Sequence, residues 1–310
     1  VTSKTRQVLG WFAVFGSAFC FYLATASIRW SAAHVSVDPA YFVFGRFLLG
    51  FLTVCAVLGA NRKPLRPRRF HLLIGRTVAN CIAVYCFYKA VDVTSVAEAN
   101  ILNMTYPVFI ALFSWIFLKE QRDPVAAAMV GVAFIGVWLV LSPGRIGLEW
   151  GNLWGLGSGF SAAFAIVYLN ISRQCHDSNT ILFYMFGLGS IIIFLVFRDR
   201  IFYPGPAEFH WLFLCSALGI AGQYLLTLGF RYVTAVEGAI ISSTRILLAA
   251  LLGPVIAGDP ALTWAGGVGA FLIFMANVLL AARRARGRAA AASPAALSAS
   301  GKEKSPNPSS

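Results

Sequence analysis

Ten apolar runs of roughly 18 to 22 residues, each closed by a short charged or proline-bearing break, recur along this 310-residue chain. About 20 apolar residues in a helix span the hydrocarbon core of a bilayer, so the pattern predicts an all-α membrane protein of ten transmembrane helices. Composition agrees. The chain is 58% hydrophobic and only 12% charged, where soluble domains carry about 25% charged residues. That leaves too little polar surface to cover a globule in water.

The expected spans are 8–28, 39–60, 70–91, 95–118, 124–142, 151–171, 179–197, 209–231, 236–257 and 261–282. Asp38-Pro39, Asp123-Pro124 and Asp259-Pro260 repeat one device, an acidic N-cap followed by proline at the first helical position, where a missing N–H costs nothing. The first run follows Lys4 and Arg6 like a secretory signal, but it is longer than a signal core and nine similar runs come after it, so it is expected to stay as an uncleaved helix.

The net charge of +13 would suggest nucleic acid in a soluble protein. Here the basic residues sit in loops and the tail, and topology explains them. With the N-terminus inside, 17 of the 25 basic residues are cytoplasmic, against five outside (Arg29, Lys89, Arg145, Arg198, Arg200) and three within helices (Arg46, Arg76, Arg245). A multi-pass protein of a bacterial inner membrane with both termini cytoplasmic is therefore expected. The six cysteines show no CxxC pairing and the four histidines no HExxH spacing; phosphate-loop and GxSxG motifs are absent too. No metal, cofactor, nucleic acid or catalytic residue is expected.

Ser95-Val96-Ala97-Glu98-Ala99-Asn100-Ile101-Leu102 lines up with Thr234-Ala235-Val236-Glu237-Gly238-Ala239-Ile240-Ile241, and the same register carries Glu120 onto Asp259. Five helices per half is an odd number, so the second half inserts upside down. Inverted repeats are a transporter signature, with substrate near the midplane between them. The expected organisation is a cytoplasmic N-terminus (1–7), a first five-helix repeat (8–143), a second, inverted one (150–283) and a disordered cytoplasmic tail (284–310). One chain holds both halves of a pathway, so a monomer suffices.

Polar groups in lipid-embedded helices usually face a cavity or another helix. Asn100, Asn103 and Tyr106 are spaced three apart on one face of the fourth helix, and Pro107 disturbs the Asn103 carbonyl four residues back. That cluster suits an ammonium or carboxylate group, or hydrogen bonding between helices. Arg245, about ten residues into its helix, is the better carboxylate partner, whereas Arg46 and Arg76, near helix starts, are expected to snorkel outward. Gln223 and Ser242 add polar contacts, and Tyr85, Trp154 and Tyr168 apolar walls. Small residues every four positions, among them Gly155, Gly159 and Gly253, let helices approach closely, and Pro107 is the expected hinge.

Glu98-x-x-x-x-Asn103-x-x-Tyr106-Pro107, followed by Leu118-Lys119-Glu120 and the Gly131-bearing fifth helix, resembles the drug/metabolite transporter superfamily, in particular its ten-helix EamA-type branch. The resemblance covers about residues 8–283, and within that branch the Glu-to-Pro run is similar to that of bacterial aromatic amino acid exporters. It implies alternating-access export of small molecules, here aromatic and other neutral amino acids of broad range. One departure stands in the ninth helix, where Ile246 occupies the position of a common family proline and Pro254 comes later. Cationic drugs are a weaker substrate class, because a cation site wants a buried carboxylate. An integral-membrane enzyme lacks its polar constellation, and a non-transporting scaffold needs no inverted repeat.

Glu98 and Glu237 lie near helix starts, and no acid sits mid-helix, whereas proton- and sodium-coupled carriers often rely on a buried carboxylate. Either facilitated, gradient-driven export or coupling through an unobvious group is therefore expected, and transport into vesicles that persists when proton and sodium gradients are collapsed and the substrate gradient is kept would mark the first.

Overall fold

The apolar runs fold as α-helices in the computed structural model, which describes residues 3–61, 65, 67–117, 124–141, 150–172, 175–229, 232–233 and 235–291. In chain order these are α1 (Ser3–Ser31), α2 (Pro39–Asn61), α3 (Phe70–Val93), α4 (Val96–Asn103), α5 (Tyr106–Phe117), α6 (Pro124–Leu141), α7 (Asn152–Ser172), α8 (Ser178–Phe197), α9 (Pro206–Gly229), α10 (Ala235–Leu252) and α11 (Trp264–Ala291). Among the described residues nine stretches are long and apolar enough to cross a membrane; Val96–Phe113, spanning α4 and α5, is one of them, and Ala127–Leu141 in α6 is shorter. α11 continues to Ala291, into the stretch expected to be disordered. Leu118-Lys119-Glu120, Asp123 and Thr234 lie outside the described residues.

The fourth expected helix is not continuous. It breaks at Met104 and Thr105, just before Tyr106-Pro107. Proline supplies no N–H and its ring crowds the carbonyl four residues back. The Thr105 hydroxyl donates to Leu102 O at 2.7 Å, closing α4, and Val108 N–H donates to Thr105 O at 2.9 Å, opening α5. The amide of Asn277 on α11 donates to Met104 O at 2.8 Å. A break at membrane depth is tolerated because neighbouring helices take up the freed backbone groups.

Glycines set how closely the helices approach. A Cβ on Gly136 of α6 would stand 2.7 Å from the carbonyl oxygen of Gly269 on α11. α1 packs along α9 with Gly10 near Tyr232 and Gly222 beside Phe21, and α3 along α7 with Thr94 near Gly151 and Gly75 beside Tyr168. Both pairs are thus antiparallel.

The Asp-Pro device works as expected at Asp38, whose carboxylate accepts from Ala40 N–H at 2.8 Å. It does not at Asp259. α11 begins only at Trp264, after α10 has widened into a π turn (Gly253–Ala257) closed by Gly258 at φ 68°. Asp259 instead accepts from the Val96 N–H at 2.7 Å, at the start of α4, and pairs with Arg29 of α1 at 3.3 Å. Ser95 caps the same helix through the Glu98 N–H and meets the Glu98 carboxylate at 3.0 Å. The Trp30 indole donates to Ile256 O at 2.7 Å alongside. One buried carboxylate so ties together the ends of α1, α4 and α10. Burial raises the Asp259 carboxyl above the ordinary range, against the amides of Val96 and Ala97 and the charge of Arg29, which pull it down.

Because burial favours the neutral form while the cap needs only an acceptor oxygen, Asp259→Asn should keep most of the stability and Asp259→Ala should lose it. An N-cap is worth about 1 kcal/mol, and thermal unfolding in detergent should order the three proteins as unmodified, Asn, then Ala. Arg29→Gln should cost less than Asp259→Ala, since the Arg29 side chain is 36% exposed and such pairs are weak.

Candidate functional site

Among the described residues Arg76, Arg245 and Arg46 lie at least partly buried within helices, and two of them share an aromatic surrounding. Arg245, in the middle of α10, is 6% exposed, and its guanidinium donates to the Asn103 side-chain oxygen at the end of α4. Asn103 in turn donates to the Ser158 hydroxyl of α7 at 2.6 Å. The guanidinium lies over two rings, Phe87 at 5.4 Å and Phe21 at 5.8 Å. Such contacts hold a cation in apolar surroundings without neutralising it.

The second is Arg46 of α2. It donates to the Tyr88 hydroxyl at 3.1 Å and lies 5.4 Å from the Phe21 ring. Gly219 of α9 leaves its space open, since a Cβ there would stand 3.1 Å from Arg46 Nε. The outward snorkelling expected of Arg46 and Arg76 does not occur: Arg46 is half-buried among rings and Arg76 is 7% exposed. A bond to Tyr88 and a glycine-lined recess give Arg46 a better place than the interface. Among the described residues no carboxylate pairs with Arg46 or Arg245.

The other expected residues separate into groups. Asn100 and Asn103 serve different helices, for Asn100 is fully buried and donates to Thr25 of α1 at 3.0 Å and to Val96 O at 2.8 Å. It is bound up in helix packing. Tyr106 is half-buried on the first turn of α5. Gln223 is half-buried on α9, and Ser242 on α10 has a buried hydroxyl without a hydrogen-bond partner. Tyr85 meets Trp154 edge-on at 6.0 Å and stacks on Phe197 at 4.7 Å. Tyr168 lies against Gly75, ten residues back along α3, which is about 15 Å. The three rings therefore do not form one wall.

The glycines of α7 lie against the helix break. A Cβ on Gly155 would stand 2.9 Å from Leu102 Cβ, and one on Gly159 would stand 2.8 Å from Leu102 O and meet the Thr105 hydroxyl. Gly253 faces Ala97 at 3.4 Å. Sequence reasoning missed Phe21, Phe87 and Ser158 as neighbours of Arg245 and Asn103, and it expected Arg46 to face outward. The one available signal was a third kind of placement for Arg46, inward rather than outward.

An antiparallel helical bundle with buried, carboxylate-free arginines beside a broken helix is suited to carrying a polar solute. The sequence pattern of the EamA-like transporter family matches this chain twice, over residues 8–142 and 149–282. The chain belongs to the EamA-like transporter family. This EamA-like protein is similar to an uncharacterized transporter of Helicobacter pylori, 28% identical over 278 residues covering 84% of this chain and 91% of that protein. It is 25% identical to the pseudopaline exporter CntI of Pseudomonas aeruginosa over 268 residues, 85% and 93% of the two chains. Human solute carrier family 35 member G1 is 28% identical over 229 residues, 68% of this chain and 62% of that one. A solved crystal structure superposes with a TM-score of 0.57 over 91% of this chain and 99% of the other; at 20% identity that likeness concerns fold alone. The EamA-like protein is thus a multi-pass membrane transporter of the drug/metabolite transporter superfamily.

Gly159→Ala should lower the melting temperature in detergent, because backbone must shift to admit the methyl group. Gly157→Ala, with nothing within 4 Å of the added carbon, should be neutral or stabilise by up to about 1 kcal/mol through helix propensity.

Proposed function

We propose that this protein exports amino acids and related small amphipathic carboxylates, aromatic and other neutral amino acids among them. The observation that carries the reading is Arg245: a guanidinium deep in the bundle, oriented by Asn103, flanked by Phe21 and Phe87, with its Nε lacking a hydrogen-bond partner among the described residues. A guanidinium fork suits a carboxylate, and flanking rings suit an apolar or aromatic side chain. The absence of a carboxylate beside either arginine, among the described residues, argues against cationic drugs. That a relative is named as an exporter of pseudopaline is compatible with outward transport of a metabolite.

The transport cycle is alternating access between two inverted five-helix halves, 8–143 and 150–283. Support comes from the two family matches and from the helix partners. α1 packs on α9 and α3 on α7, while α6 packs on α11 and α2 on α8. A two-fold relation between the halves would exchange the first two pairs and map each of the last two onto itself. Ten spans then arise from the nine long stretches together with α6. Pro107 is the hinge of the broken helix, and Gly155, Gly159 and Gly253 are the surfaces on which it moves. Asn103, Tyr106, Arg245, Gln223 and Ser242 supply polar contacts, with Tyr85, Trp154 and Tyr168 farther along the pathway. The excess of basic residues in the assigned inner loops favours cytoplasmic termini in an inner membrane. Each chain works as a monomer.

Uptake of radiolabelled amino acids into proteoliposomes tests the reading. The unmodified protein should move several of them, and Arg245→Gln, folded by size-exclusion chromatography, should lose about tenfold or more, as expected for a charge-assisted hydrogen bond. A protein that moves no member of the panel would remove amino acids from the substrate class.

A further inference from the structure

Arg46 was not needed for the carboxylate site just described, yet it stands on the same ring. The Arg46 and Arg245 guanidiniums lie 5.4 and 5.8 Å from the centroid of Phe21, so α2's charge and α10's share one phenyl ring. The two charges act on one another electrostatically. Among the described residues each makes one hydrogen bond to a protein side chain, Arg46 to Tyr88 and Arg245 to Asn103, out of the five N–H donors a guanidinium carries. The Nε of Arg245 is buried, with no hydrogen-bond partner among the described residues.

Like charges side by side in a membrane interior are costly. Packing alone gives no reason to keep both, since an uncharged side chain at either position would remove the repulsion. An ordinary amino acid does not relieve it either: its carboxylate and ammonium cancel, and the site retains both positive charges. A substrate with a second acidic group does. Its second carboxylate lowers the net charge of the occupied site by one more unit, and its two carboxylates can each meet a guanidinium.

We propose that the site is built for substrates carrying two acidic groups, one held by Arg245 with Asn103 and the other by Arg46 with Tyr88, so that dicarboxylic substrates are preferred over neutral ones. This rests on the carboxylate-binding reading given above, and it assigns Arg46 and Tyr88 to specificity. Tyr88 is fully buried, and its hydroxyl fixes the Arg46 guanidinium in place.

Glutamate and glutamine are nearly the same size and differ in this one charge, so their ratio of transport in proteoliposomes isolates the second arginine. The unmodified protein should favour glutamate, and Arg46→Gln should lower the glutamate-to-glutamine ratio by about tenfold, while Arg46→Lys, which keeps the charge, should restore part of it. An unchanged ratio in Arg46→Gln, or a preference for glutamine in the unmodified protein, overturns the two-acid site and leaves the single-carboxylate reading standing. Transport of neither glutamate, glutamine nor any neutral amino acid overturns both together. Should Arg46→Gln fail to fold, thermal unfolding of the unmodified protein decides. A larger upward shift with glutamate than with equal glutamine upholds the pair, and equal shifts overturn it.

Discussion

A helix that breaks inside a bilayer must find partners for the backbone groups it releases, because lipid offers none and each unsatisfied group costs several kcal/mol. The interruption between α4 and α5 meets that demand from three sides. Thr105 closes the turn through Leu102 O, Asn277 reaches across from α11 to Met104 O, and Gly159 of α7 gives up its side chain so that the exposed carbonyls fit. The site depends on this arrangement. Asn103 ends α4 at the break, and from there its amide bridges Ser158 of α7 and Arg245 of α10.

A second constraint acts at the other end of α4. Helix N-termini carry unpaired N–H groups and a partial positive charge, and the first of these is met by Asp259, contributed by chain more than 160 residues away. The acidic residue that sequence logic assigns to the start of its own helix has been drawn across the bundle, because the π turn after α10 delivers it to Val96 and Arg29. α4 is therefore held at both ends by groups from the second half of the chain, Asp259 at its start and Arg245 at its finish. An eight-residue helix of this kind has little stability of its own, and its position follows from those contacts.

Much of the architecture was legible beforehand. Apolar run length located the spanning helices to within a few residues, since bilayer thickness fixes that length, and Pro107 marked the place of the break without revealing that the helix would come apart there. The identity of Arg245 and Asn103 as a pair was within reach, because a charged or amide side chain deep in an apolar run has few alternatives. Arg46 was misjudged for a physical reason. Depth along a helix says how far a side chain is from the interface, but which way it faces depends on what neighbouring helices leave open, here Gly219 and Tyr88. The aromatic partners were equally hidden: with 26 phenylalanines in the chain, only packing distinguishes Phe21 and Phe87 from those that meet lipid. Tyr85 and Tyr168 looked like neighbours in function, but Tyr168 of α7 lies against Gly75, about 15 Å along α3 from Tyr85.

The unpaired guanidiniums of α2 and α10 also lie in an electric field. A membrane potential does work on any charge displaced along the bilayer normal, about 2.3 kcal/mol per elementary charge for a full crossing at 100 mV. Among the described residues no carboxylate stands beside Arg46 or Arg245 to cancel that work, so any motion that carries α2 or α10 part of the way across feels the voltage directly. An occupant of opposite charge would remove the coupling while it stays bound. The same two side chains that shape the site thereby make the resting voltage of the membrane a force on the empty protein that a neutralised one does not feel.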